Sequence, residues 1–138
     1  PAERLEALKT KLANLDRLTR GSDAEAREAM RLLCSMLVDN SCGIHEVCPT
    51  SCRAVASVDV AACRRSYDSR MAEPVPQVAL QLNAGNGVGY GVIAGLVDTG
   101  FPVENIEFIA GLHIALETED AARRWLDSEP LFAPACDS

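Results

Sequence analysis

Aromatic side chains are scarce: three Phe, two Tyr and one Trp make up 4% of the chain. Strands draw on aromatic and β-branched residues, so this shortage, beside plentiful Ala and Leu, points to helices. Histidine is limited to His45 and His113. Neither stands in a pattern with a nucleophile and an orienting carboxylate, so no catalytic residue is assigned and a non-catalytic role is favoured. Basic residues almost vanish from the second half. Residues 1–71 carry eleven Lys/Arg against ten Asp/Glu, a net of +1, whereas residues 72–138 carry only Arg123 and Arg124 against ten acids, a net of −8. Such an acidic half repels phosphate backbones and excludes nucleic acid as a partner there, and the pair Arg64-Arg65 is too short to act as a basic stripe. From Pro74 to Val97 there is no charge at all. Gln77, Gln81, Asn83, Asn86 and five glycines nevertheless break up that stretch, so a membrane-spanning helix is not expected. At the start, Glu3, Arg4 and Glu6 interrupt any apolar leader core.

What is present describes an acidic, soluble, all-α domain. The 138 residues are 48% hydrophobic and 24% charged, with a net charge of −7, and this length supports a core without covalent staples. One domain over 1–138 is expected, with an N-terminal helical pair (1–40), a Cys-rich link with helices (41–72) and a helical half (73–138). Leu5, Leu8, Leu12, Leu15 and Leu18 form a heptad-type seam over residues 2–20, which must pack on the domain or on a second copy as a homodimer. Gly21-Ser22-Asp23 ends this helix and starts another over 23–39, whose buried face would be Met30, Leu33, Cys34, Leu37 and Val38. Pro49 suits a first helical turn with Cys48 extended before it, and Asp59 suits the cap of a helix over 60–69. "AEPVPQ" at 72–77 reads as a loop.

The stretch "VALQLNAGNGVGYGVIAGLVDTGFPVE" at 78–104 and "GLHIALETEDAARRWLDS" at 111–128 lie about one helical repeat apart. Both are similar to ankyrin repeats, with Leu112-His113-Ile114-Ala115 in the place of the "LHxA" signature. The resemblance implies helix-turn-helix units that stack to bury a shared apolar face. It puts Gly87 in an inter-helix turn, Val92, Ile93, Leu96 and Val97 on a second helix, and Gly100 at its C-terminal cap. It gives His113 a structural role, bridging backbone groups. The same glycine run also contains Gly89-x-Gly91-x-x-Ala94 after an apolar stretch at 78–82. This is the pattern of a dinucleotide turn, and it keeps a small thiol- or nucleotide-dependent enzyme as a remoter alternative.

Six cysteines are many for a chain of this size. The segment "CGIHEVCPTSC" sets Cys42, His45, Cys48 and Cys52 in the spacing C-x2-H-x2-C-x3-C, a donor set that suits zinc or an iron–sulfur cluster, although no cofactor is the favoured state. Alternatively Cys34, Cys42, Cys48, Cys52, Cys63 and Cys136 supply disulfides, or remain thiols. A reduced cytoplasmic chain is slightly favoured over a secreted, oxidised one. Cys136 would lie in a frayed tail. The function these features favour is a protein–protein interaction module, an adaptor, inhibitor or effector-like protein. Its partner would be basic, met by the loop residues Glu73, Glu104, Asn105 and Glu107. Metal or cluster binding at the cysteine segment is the alternative.

Overall fold

The computed structural model describes residues 2–136 and is mostly helical, with one two-stranded hairpin. The chain folds as two compact units, residues 1–23 with 96–138, and residues 24–95.

The first unit is built on α1 (Ala2–Thr19) and α6 (Phe108–Glu117). Leu12, Asp16 and Thr19, spaced i, i+4 and i+7, are the buried positions of α1, so one stripe of that helix faces its neighbour. α1 packs along α6, where the buried residues are the small Ala110 and Gly111. The leucine seam is therefore used at its centre inside this unit, while Leu5 and Leu18 near its ends stay exposed. α6 starts at Glu107, whose carboxylate accepts a hydrogen bond from the Ala110 amide at 2.7 Å, satisfying one of the orphan donors of the first turn. A turn leads to α7 (Ala121–Leu126), and Phe101 lies against Trp125 with ring centroids 5.1 Å apart. The C-terminal segment returns to this unit: Ile106 bridges Cys136, and the Glu107 amide donates to the Ala135 carbonyl at 2.8 Å. Cys136 is thus half-buried and held by backbone pairing, not frayed as its polar surroundings suggest.

The second unit departs most from the sequence reading. α2 covers only Ala24–Ala29, and the chain then enters a hairpin of β1 (Leu37–Val38) and β2 (Ser41–Cys42) instead of helix to residue 39. Arg31 has φ +53, and Asp39 and Asn40 have φ +49 and +60. Two consecutive left-handed residues between paired strands are what a tight two-residue hairpin needs, and Asp and Asn tolerate that region best after Gly. The face expected to be buried is consequently turned out. Met30, Leu33, Cys34 and Val38 are exposed, and Ser35 and Met36 are buried in their stead.

Cys48 is extended as expected, but Pro49 is extended too, with ψ +149, and stands at the N-cap of α3 (Thr50–Ala54) instead of in its first turn. α4 (Val60–Asp68) is capped by Asp59, which accepts from the Ala62 amide at 2.8 Å. The guanidinium of Arg31 lies 3.9 Å from the Tyr67 ring centre and 3.7 Å from the Asp68 carboxylate, fastening the end of α2 to α4. α5 (Ala79–Asp98) is one uninterrupted helix. Gly87 lies within it, so the inter-helix turn implied by the ankyrin resemblance does not form there; nor is 78–82 a strand, and Gly89 and Gly91 sit mid-helix with their backbone groups committed. That removes the strand-to-helix turn on which a dinucleotide site depends. Gly100 does cap the helix: at φ +79 its amide donates to Val97, and the Phe101 amide donates to Leu96.

α5 joins α3 at close quarters. The Gln81 side chain donates to the Arg53 carbonyl at 2.6 Å and the Val78 amide to the Ala56 carbonyl at 2.9 Å. A Cβ on Gly85 would stand 2.4 Å from the Ala54 Cβ and 2.9 Å from its Cα. Gly85→Ala is therefore expected to destabilise the second unit by about 1–3 kcal/mol through overpacking against backbone. The sign is opposite to the gain of about 1 kcal/mol that the same change brings in an open helix. Chemical denaturation of the two proteins measures it.

Candidate functional site

Five of the six cysteines, all but Cys136, belong to the second unit. Cys34 and Cys42 flank the hairpin: the Cys34 carbonyl accepts from the Leu37 amide at 3.1 Å, and Leu37 is the strand partner of Cys42. Cys48 and Cys52 bracket the start of α3. Arg53 folds the intervening turn (His45–Val47) onto α3, its guanidinium donating to the His45 carbonyl and, at 2.9 Å, to that of Glu46. Burial pushes the Cys52 thiol up, and Cys48, Cys34 and Cys42 push it further by charge repulsion. Cys34, expected inside a helix, thus stands in the neighbourhood of the other three. Cys63 is exposed on α4. No disulfide joins these five thiols. Among the described residues no three His, Cys, Asp or Glu side chains converge closely enough to hold a metal ion, so Cys42, His45, Cys48 and Cys52 do not form a closed shell.

The four residues expected at a partner interface are split. Glu73, in the second unit, is paired with Arg65 at 3.3 Å. Glu107 is spent on the cap of α6. Glu104 and Asn105 are exposed on the loop before α6.

His113 has a partner that no local pattern showed. Its Nδ1 lies 2.9 Å from Oδ2 of Asp16, 97 residues away, and Arg20 donates to the same oxygen. Asp16 is only 4% exposed, and its other oxygen is buried without a partner. Burial alone would raise the Asp16 pKa. The hydrogen bonds and charges of Arg20 and His113 outweigh it and hold the carboxyl below its usual range. Arg20 also donates to the Pro134 carbonyl at 2.6 Å. The cluster is a structural tie between α1, α6 and the C-terminal segment.

The surface that sequence reasoning missed is α5. None of its residues is buried, although its first nineteen carry no charge and include Leu80, Val88, Tyr90, Val92 and Ile93. The signal available was the low contrast between its faces: a helix apolar all round and rich in glycine has no polar side to give to water. Among the described residues no helix is long and apolar enough to cross a membrane.

No protein-family model matches the chain, and no curated protein or solved structure matches it significantly.

Two outcomes are expected. Cys52 should be alkylated more slowly at neutral pH than an unstructured peptide thiol, with the gap closing as pH rises, because the thiolate is the reacting form; mass spectrometry of timed labelling checks this. The lowered Asp16 pKa means that the unfolded chain takes up this proton first as pH falls. Its contribution to stability is full above the ordinary carboxylate pKa and is lost as pH falls through the lowered folded value. Asp16→Asn should flatten that acid limb in pH-dependent unfolding and cost about 1–3 kcal/mol at neutral pH.

Proposed function

We propose that this chain is a non-catalytic protein–protein interaction module whose docking surface is α5. The observation that carries the reading is the exposure of that helix: Leu80 is 82% exposed, Tyr90 71%, Val88 60% and Val92 57%. Large apolar side chains exposed at this density are uncommon on a free monomer and mark interaction sites. The acidic residues take the lesser part. With Glu73 paired and Glu107 capping a helix, Glu104, exposed on the loop before α6, is the charge that favours a basic partner, and an exposed charge steers association more than it holds it. Stacking of the ankyrin kind would be limited in this reading to the pair α6 and α7.

A photoreactive residue in place of Val88 is expected to give a discrete cross-linked species at low salt and equally at about 0.5 M salt, where exposed charge pairs are screened. Ala94→Lys, which forces a charge into the contact, should cut that yield about tenfold or more. A control residue in place of Arg64 should give no such species. Equal labelling from both positions, or a yield that collapses with salt, would overturn the reading.

A second reading, binding of a thiophilic metal such as zinc or of an iron–sulfur cluster, draws on the grouping of Cys34, Cys42 and Cys48 around Cys52. It requires these side chains to turn inward. Stoichiometric metal on protein purified without chelator and without air would support it, and absence of metal uptake by the reduced protein would end it.

A further inference from the structure

We infer that the occupant of the α5 surface is a second copy of this chain, with the two helices antiparallel. The inference rests on α5 being the docking surface and names its partner.

On a helical wheel the half-buried residues of α5, Leu82, Gly85, Gly89 and Leu96, share one side. The opposite side carries Leu80, Asn83, Ala84, Gly87, Gly91, Ala94 and Gly95. Gly87, Gly91 and Gly95 are spaced by four, and a Cβ built on any of them meets nothing within 4 Å. Each glycine costs a helix about 1 kcal/mol relative to alanine. Among the described residues nothing requires their smallness on this side, in contrast to Gly85 against Ala54. A partner that comes close to the backbone does require it, as where small residues every fourth position let two helices meet.

Charge and shape favour a second copy over a foreign protein. The chain is strongly acidic, with a net of −7, so two copies can meet face to face only where neither bears charge. Residues 79–97 meet that condition. An uncharged seam offers a charged partner no complementary groups, so its selectivity rests on contour. The contour is self-complementary. Antiparallel pairing about a twofold at Gly89 sets Gly87 opposite Gly91 and Asn83 near Ala94 of the other copy, with the two Val88 side chains side by side on one flank and the two Tyr90 side chains on the other. An isologous contact of this type closes at the dimer.

The area suffices for a modest complex. A 20-residue helix is about 30 Å long, and half the circumference of its cylinder is roughly 16 Å, so each copy contributes on the order of 500 Å². The total of about 1,000 Å² stands at the lower limit for a specific interface, which points to micromolar affinity. The leucine seam of α1 is not the contact, since its centre already packs on α6.

Sedimentation velocity on the full chain in reducing buffer, at concentrations up to ~200 µM to span a micromolar Kd, tests the inference. The expected result is a reversible shift from 14.8 kDa towards twice that mass. Gly91→Leu should weaken the dimer tenfold or more while keeping or raising the helical circular dichroism, because leucine is the better helix former and has open space. That variant separates a fitted seam from general stickiness, which an added leucine would strengthen. A wild-type chain that stays monomeric throughout, or a dimer that Gly91→Leu leaves intact or tightens, would overturn the inference. If the chain is monomeric and the Val88 photoprobe still gives a discrete species of another mass, the docking surface stands and the partner is a different protein. If the chain is monomeric and the probe gives nothing, both readings fall.

Discussion

The close approach of Gly85 to Ala54 is the contact on which the second unit depends. It lets the backbones of α3 and α5 meet, and the Gln81–Arg53 and Val78–Ala56 hydrogen bonds lock the same corner. A helix seated at a glycine gains proximity but buries little side chain. The remaining buried residues of this unit, Ser35, Met36, Ala62 and Ser66, are mostly small. Removing a methylene from water contributes about 0.8 kcal/mol, so such a core offers limited hydrophobic stabilisation. The large apolar side chains of α5 lie on the other side of that balance. Leu80, Val88 and Tyr90, more than half exposed, add little to folding while solvated.

The first unit solves its packing differently. α1 meets α6 along small residues, and at their junction stands a buried carboxylate shared by Arg20 and His113. Asp16 is costly to bury without partners, and those partners come from α1 itself and from α6. Arg20 reaches on to the C-terminal segment at Pro134. One acidic group thereby couples three parts of the unit that are far apart in the chain. It also gives His113, alone on an apolar helix, a polar partner on α1.

Local chemistry announced several features well. The cap at Asp59 and the extended Cys48 before Pro49 each follow from the backbone preferences of one or two residues, and they appear where those residues stand; the helix stop at Gly100, implied by the ankyrin resemblance, appears as well. The hairpin at Leu37–Cys42 shows the limit. Met30, Leu33, Cys34, Leu37 and Val38 repeat with helical spacing, yet Asp39-Asn40 favours a tight turn, and two left-handed residues outweigh a periodicity with no partner to bury it. The candidate thiols were legible as residue types, and their grouping was not. Cys34 joins Cys42, Cys48 and Cys52 because the hairpin folds back, which spacing alone does not encode.

The class of this protein is written in its residues: a helical, acidic chain whose residues 74–97 carry no charge. Composition and propensity act residue by residue and need no fold to take effect. Packing settles which apolar residues are spent and which remain. Burial depends on what a face meets, and α1 meets α6 while the outer side of α5 meets solvent. The pairing of Asp16 with His113 and the exposure of the glycine seam are products of that placement, since both depend on contacts between residues distant in the chain.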